Sequence, residues 1–213
     1  MGLGTEFEGW LFADLLLGVG DEGEASLGED VEAFAGISLY LDDIEEDLVE
    51  RFADIALEGR TVSINATPQS LARHGTAIRL LDGCLVLVSH LGSPRRVVDL
   101  PPAELHDALA RLLRLADLAH VAVKVSGLYD ADPEFPHEKV KPTVALISET
   151  FGPSRLLWGS DFPVALDHLG MREAMETPDW FTEIFSPDEV LGVLGGNLDR
   201  LVLSRPVNPT LRV

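Results

Sequence analysis

Short runs of apolar residues, each followed by a stretch with the period of a helix, succeed one another between positions 36 and 158. Residues 36–41, 61–65, 84–90, 121–126 and 156–158 read as strands. They are close to continuous in Val, Ile and Leu, a pattern that signals cover on both faces and hence a parallel sheet under helices. Between them, residues 43–58 place Ile44, Leu48, Phe52, Ile55 and Ala56 on one helical face. A weaker helix turns Leu71, Ile78 and Leu81 inward. Pro101-Pro102 opens a helix with the stripe Leu105, Leu109, Leu112 and Leu113, and Pro142 starts one carrying Leu146, Ile147 and Phe151. Ser186-Pro187-Asp188-Glu189 is a capping box with proline at the first helical position, and residues 197–201 close that helical tail. The fold class is α/β. Periodicity alone fits an open doubly wound sheet as well as a barrel, because a standard barrel takes about 200 to 250 residues for eight units. Residues 11–17 fit a strand or a helical turn equally.

The 213 residues suffice for one domain with a sizeable core, and 46% are hydrophobic, which excludes a disordered chain. No apolar run approaches the roughly 18 residues that span a bilayer, and residues 1–6 lack the features of a secretory signal, so a cytoplasmic protein without membrane contact is expected. A single cysteine, Cys84, precludes an internal disulfide and reads as a buried, inert core residue. The net charge is −20, and residues 1–58 hold 17 acidic side chains against one basic one, Arg51. Such a field repels phosphate backbones, so nucleic acid is not an expected partner; it reads first as a solvated acidic surface.

In parallel α/β folds, functional side chains gather at the carboxyl ends of strands. Those ends deliver Asp42 and Asp43, then Asn65, then His90, then Lys124 and Ser126, then Ser160 and Asp161. A histidine, a lysine and an aspartate converging on one face form a plausible acid–base set. Asp42 and Asp43 precede a helix and read better as N-caps. Asn65, just before Pro68, divides evenly between a turn residue and a ligand-facing amide. The plainer alternatives are a strand cap for His90, a neutralising interior charge for Lys124 and a turn residue for Asp161. His74, His106, His120, His137 and His168 fall on helices or loops without metal spacing and read as structural or exposed.

Three segments in order carry a resemblance: Val88-Ser89-His90-Leu91-Gly92-Ser93-Pro94, Val123-Lys124-Val125-Ser126-Gly127-Leu128, and residues 151–163 with Leu157-Trp158-Gly159-Ser160-Asp161-Phe162-Pro163. They resemble strands six, seven and eight of the amidohydrolase-related (amidohydrolase 2 type) family, the branch with pyrone dicarboxylate lactonase and aminocarboxymuconate semialdehyde decarboxylase. Gly195-Gly196-Asn197-Leu198-Asp199-Arg200-Leu201 resembles its terminal helix. The resemblance implies a (β/α) TIM barrel in which residues 36–203 supply strands four to eight and the terminal helix. It makes 1–213 one domain with an atypical acidic segment at 1–35. It also implies that Asp161 activates water or relays a proton and that His90 polarises the substrate carbonyl.

The departures are equally specific. The family's His-x-His pair occurs nowhere in this chain, and Asn65 stands where metal-binding members carry a histidine. A catalytic zinc wants about three protein ligands. The expected cofactor is therefore none, or one divalent metal, zinc, held by Asp161 and His90 with an incomplete ligand set. Strands one and two look absent, so the barrel is expected to be shortened or incomplete at its start. A homo-oligomer is expected to cover the open edge. Two functions follow. One is a hydrolase acting on a small organic acid, lactone or related carbonyl compound, possessing Asp161 and His90 as catalytic groups and Lys124, Ser126, Asn65 and Ser160 as substrate contacts. The other is a non-catalytic barrel homologue that binds a ligand or a partner subunit.

Overall fold

The computed structural model describes residues 10–12, 18–19, 25–26, 36–42, 59–93 and 99–203. The helix expected over 43–58, Asp43 and Pro94 lie outside these residues. Eight strands are present among those described: β1 (Trp10–Phe12), β2 (Gly18–Val19), β3 (Ala25–Ser26), β4 (Gly36–Tyr40), β5 (Thr61–Asn65), β6 (Leu85–Val88), β7 (Val121–Val125) and β8 (Leu156–Trp158). Six form one parallel sheet in the order β1-β4-β5-β6-β7-β8, while β2 and β3 make a small antiparallel pair. Trp10–Phe12 resolves the start of the ambiguous 11–17 stretch as a strand, in register with Gly36–Ser38.

The strand order decides between the two architectures that periodicity left open. A doubly wound sheet reverses direction at a switch point. Here β4 to β8 run strictly in sequence, each paired in parallel with the one before. The two faces also differ. Ile37, Leu39, Val62, Ile64, Val86, Val88, Val121, Val123, Val125 and Leu156 are buried in one core. They pack there with residues of the helices α1 (Pro68–Arg73), α2 (Gly75–Leu80), α3 (Pro102–Leu113) and α5 (Lys141–Phe151), which follow the strands; the one-turn α4 (Leu128–Ala131) lies between α3 and α5. Side chains alternate along a strand, so the intervening residues line the other face. At its amino end that face is apolar, with Leu85, Leu87, Ala122 and Leu157 packed against Leu201. Toward its carboxyl end it is polar: Asn65 donates to Ser38 Oγ (3.3 Å), and Lys124 Nζ donates to Ser63 Oγ (3.0 Å), which lies 3.1 Å from Ser89 Oγ. Helices on one face and a stratified second face are the two sides of a barrel wall.

The helix stripe of α3 is as expected, with Leu105, Leu109, Leu112 and Leu113 buried. The weaker helix divides at His74 into α1 and α2, and Leu71, Ile78 and Leu81 are buried. The strand expected to run to His90 ends at Val88, and that expected to run to Ser126 ends at Val125. The tail continues through α6 (Met171–Met175), α7 (Phe181–Ile184), α8 (Pro187–Leu191), a π-turn and α9 (Asn197–Leu203). The Ser186 backbone and hydroxyl both donate to Glu189 Oε2 at 2.8 Å, as the capping box predicts.

Two residues of the family-like segments prove to be fasteners. Arg155 donates to the carbonyls of Phe151, Leu118, Val121 and Ala116, tying β8 to the preceding helices. Asn197 is buried and donates to the carbonyls of Pro153 and Leu156, both at 2.9 Å, joining α9 to β8. Asn197→Ala removes both donors and leaves those carbonyls without them, so we expect it to cost about 2 kcal/mol in urea-induced unfolding. A loss within experimental error would show that α9 is not anchored this way.

Candidate active site

A cavity of about 500 Å³ opens at the carboxyl end of the sheet, with Asn65, His90, Tyr129, Asp130, Asp161 and His168 in its wall. Three successive strand ends reach it through left-handed backbone. His90 follows β6 with φ 53°, Gly127 follows β7 with φ 61°, and Asp161 follows β8 with φ 58°. Such a conformation is costly for residues with a Cβ, and it concentrates at functional sites. It carries each chain sharply off its strand and holds the side chains over the sheet end.

His90 is fixed by Ser126. The Ser126 hydroxyl oxygen accepts from the His90 backbone N–H (3.3 Å) and lies 3.2 Å from Nδ1. A hydroxyl that accepts the backbone proton has its own proton free for Nδ1. That proton satisfies an unprotonated Nδ1, and the second lone pair of the hydroxyl would equally accept from a protonated one. Burial lowers the His90 pKa below the ordinary 6.5; Lys124 acts in the same direction, while Asp161 and Asp130 oppose it. The neutral imidazole is thus favoured.

Asp161 faces His90, with Oδ2 3.9 Å from Nδ1. Its backbone carbonyl accepts from Ala165 N–H (3.0 Å), so the turn role is real, but the side chain is committed elsewhere. Oδ2 accepts a short hydrogen bond of 2.5 Å from the Tyr129 hydroxyl. Burial, this bond and the negative charges of Asp161, Asp130 and Asp167 push the Tyr129 phenol well above its ordinary range, so it remains a donor. The Tyr129 ring stacks on His168, with centroids 4.6 Å apart and planes 17° from parallel.

Of the other expected contacts, Asn65 lines the cavity. Lys124 lies beneath it in the Ser63–Ser89 network, its pKa lowered by burial against the pull of Asp161. Ser126 is buried behind His90. Ser160 is not part of the cavity wall and accepts from the Phe162 backbone N–H (3.4 Å). Asp42 lines the cavity and accepts from the Thr67 hydroxyl (2.7 Å). Among the remaining histidines, His74, His120 and His137 are buried and hydrogen-bonded to carbonyl oxygens of Leu41, Ile78 and Asp132. His106 is exposed. His168 is exposed too, but it belongs to the site.

Tyr129, Gly127 and His168 are the residues that sequence reasoning missed. Gly127 directly follows Ser126 and Tyr129 stands two positions further on, and a glycine after a strand was the available signal.

A structural zinc or catalytic zinc binds at about 2.0–2.3 Å from its ligands and takes three or four of them from the protein. All six histidines lie among the described residues, and there no three His, Cys, Asp or Glu side chains converge as a ligand group. Asp161 Oδ2 is engaged by Tyr129, and His90 Nδ1 by Ser126. The described residues do not fit a zinc centre.

A Cβ on Gly127 would lie 2.5 Å from His90 Nδ1 and 3.1 Å from its Cγ. Gly127→Ala therefore combines a left-handed alanine with a clash against the ring. We expect a loss of about 2 kcal/mol or more in thermal or urea unfolding, together with displacement of His90. An unchanged transition and an unmoved His90 would refute the close fit.

With this geometry in view, comparison with known proteins identifies the kinship. A family model described as amidohydrolase matches residues 12–202. An L-fucono-1,5-lactonase from Burkholderia ambifaria is 30% identical over 188 residues, covering 81% of this chain and 62% of that one. A zinc-bound amidohydrolase from Burkholderia multivorans superposes with a TM-score of 0.63 at 26% identity, covering 82% of this chain and 66% of the other. A putative 2-pyrone-4,6-dicarboxylic acid hydrolase from Pseudomonas putida, at 21% identity and TM-score 0.56, shares the fold over 80% of this chain and 63% of its own. The chain thus spans less than two thirds of these relatives' lengths. On the match across residues 12–202, the chain belongs to the amidohydrolase family.

Proposed function

We propose that the protein hydrolyses a lactone or a closely related carbonyl compound of a small organic acid, with Asp161 as the base that activates water and His90 as the donor that polarises the carbonyl. The single observation that carries this reading is the facing pair at the strand ends: Asp161 Oδ2 lies 3.9 Å from His90 Nδ1, with both side chains in the cavity wall. In this reading Ser126 donates to Nδ1 and the neutral ring carries its proton on Nε2, from which it is donated to a carbonyl oxygen gaining negative charge. Asp161, an acceptor beside it, takes the proton that water loses on attack. The lactonase likeness supports the same reaction class. The zinc-bound relative raises the question of a metal, but the described ligand set here does not supply one, and the steps above run on side chains alone.

The cavity also bears on the substrate. The charged residues described in its wall, Asp42, Asp130 and Asp161, are acidic, and the nearby Lys124 Nζ is bound to Ser63. Carboxylates accept hydrogen bonds from hydroxyl groups and repel a second carboxylate. An uncharged, hydroxyl-bearing lactone suits these walls better than a dicarboxylate does.

Asp161→Asn removes the base while preserving the shape of the side chain. We expect kcat on an aldonolactone to fall by about 10²–10⁴-fold with the unfolding midpoint little changed. Retained turnover would overturn the assignment. The pH dependence has a definite sign. Neutral His90 is the working form and burial lowers its pKa, so it remains neutral as pH falls through 6.5. The acid limb of kcat/KM is therefore expected to have its midpoint below 6.5, and a limb above that value would contradict the role of His90.

A further inference from the structure

We infer that Tyr129 is a catalytic proton relay, passing the proton that Asp161 takes from water to the alkoxide that leaves the substrate. This inference rests on the lactone-hydrolysis reading and adds the step which that reading leaves open. Opening an aliphatic lactone releases an alkoxide, a base far too strong to depart at neutral pH unless it is protonated as the bond breaks. Asp161 acquires a proton in the first half of the reaction, and a second group, hydrogen-bonded to that carboxylate, lines the same cavity.

That group is the Tyr129 hydroxyl. It donates to Asp161 Oδ2 at 2.5 Å, in the range of charge-assisted O–H···O⁻ bonds. Tyr129 and Asp161 line the same cavity, and among the described residues no other side chain hydrogen-bonds the Asp161 carboxylate. The phenol is aimed rather than free. Its ring is largely buried, belongs to the second residue of α4 after left-handed Gly127, and is stacked on His168, which also lines the cavity. The charged groups around this pair are Lys124 from β7, Asp130 from α4 and Asp167 from the segment after β8. The hydrogen bond of the phenol goes to Asp161.

The electrons and protons balance as follows. The water oxygen bonds to the carbonyl carbon as one of its protons passes to Asp161. The carbonyl π pair moves to oxygen, where His90 Nε2–H holds it. On collapse that pair re-forms the carbonyl and the bond to the ring oxygen breaks, its electrons going to that oxygen. Tyr129 O–H gives its proton to the ring oxygen, and Asp161 returns the water's proton to the phenol oxygen. The products are a hydroxy acid and an enzyme with carboxylate and phenol restored. The two transfers through the phenol are concerted, since burial disfavours a free phenolate and the protonated Asp161 beside it supplies the replacing proton.

The test uses the full chain and two lactones of equal ring size that differ in leaving group: δ-valerolactone, which releases an alkoxide, and dihydrocoumarin, which releases a phenolate that needs little protonation. A relay predicts that Tyr129→Phe lowers kcat on δ-valerolactone by about 100-fold but on dihydrocoumarin by less than about tenfold, with KM on each changed by less than about threefold. Equal losses on the two substrates, or no loss on either, overturn the relay and reduce Tyr129 to packing. Wild-type protein that hydrolyses neither these lactones nor an aldonolactone overturns the lactonase reading itself, and the relay with it; if the wild type acts on the aldonolactone alone, Tyr129→Phe is measured on that substrate, where an unchanged kcat overturns the relay and leaves the lactonase reading standing. If the phenylalanine variant does not fold, His168→Leu keeps the phenol but removes its stacking partner; the same ordering of losses, of smaller size, is then expected, and equal losses again overturn the relay.

Discussion

The 2.5 Å that would separate a Gly127 Cβ from His90 Nδ1 is the constraint on which the site depends. Because that carbon is missing, the imidazole lies against the backbone at the end of β7 and reaches the Ser126 hydroxyl. In the proposed reaction Ser126 donates to Nδ1, so that Nε2 is the nitrogen that donates into the cavity. The same left-handed turn starts α4, whose second residue, Tyr129, donates to Asp161. One backbone conformation thus orients both donors beside the carboxylate. His90 and Asp161 themselves bear the strain of positive φ, which the fastening of β8 by Arg155 and Asn197 helps to sustain.

Beneath the site, the sheet's inner face changes character within two residues, from Leu87 to Ser89 along β6 and from Ala122 to Lys124 along β7. Leu85, Leu87, Ala122 and Leu157 form an apolar floor, and Ser38, Ser63, Ser89 and Lys124 form the polar layer above it. A partly buried ammonium is costly unless it is hydrogen-bonded and compensated by opposite charge. Ser63 supplies the bond and Asp161 the compensating charge. Lys124 in turn helps to keep His90 neutral. Its position makes it an electrostatic support under the acid–base pair, close to the plainer alternative of a neutralising interior charge.

Much of the fold was legible because its determinants are local. Proline at helix starts, the α3 leucine stripe and the Ser186–Glu189 capping box depend on neighbours within a few positions, and each lies where the sequence places it. His90 and Asp161 were legible by a different rule, that parallel strands deliver functional groups at their carboxyl ends. Tyr129 escaped because its meaning is non-local: nothing in its neighbourhood signals a carboxylate 32 positions away. His168 was discounted for having no partner at metal spacing, yet its partner is an aromatic ring. The inner face was misjudged for a subtler reason. Runs such as residues 61–65 read as apolar overall, but Thr61, Ser63 and Asn65 share one face, and only the paired register with β4 and β6 turns those alternating positions into a polar layer.

These features converge on a division of labour by charge. Burial and Lys124 hold His90 neutral, and the carboxylate beside Tyr129 holds the phenol protonated. The proposed site therefore sets two neutral donors, His90 and Tyr129, beside one acceptor, Asp161. In ester hydrolysis, negative charge moves from the base to the carbonyl oxygen and then to the leaving oxygen. An arrangement with two donors beside the base can meet that charge at both destinations without either donor becoming an ion in the resting state. Neutral donors that need no reorganisation at the moment of reaction are the form of preorganisation that favours the transition state over the ground state. The acidic wall adds selection at the entrance, because the carboxylates that accept substrate hydroxyls also repel the carboxylate of the hydroxy-acid product, and that repulsion favours its release.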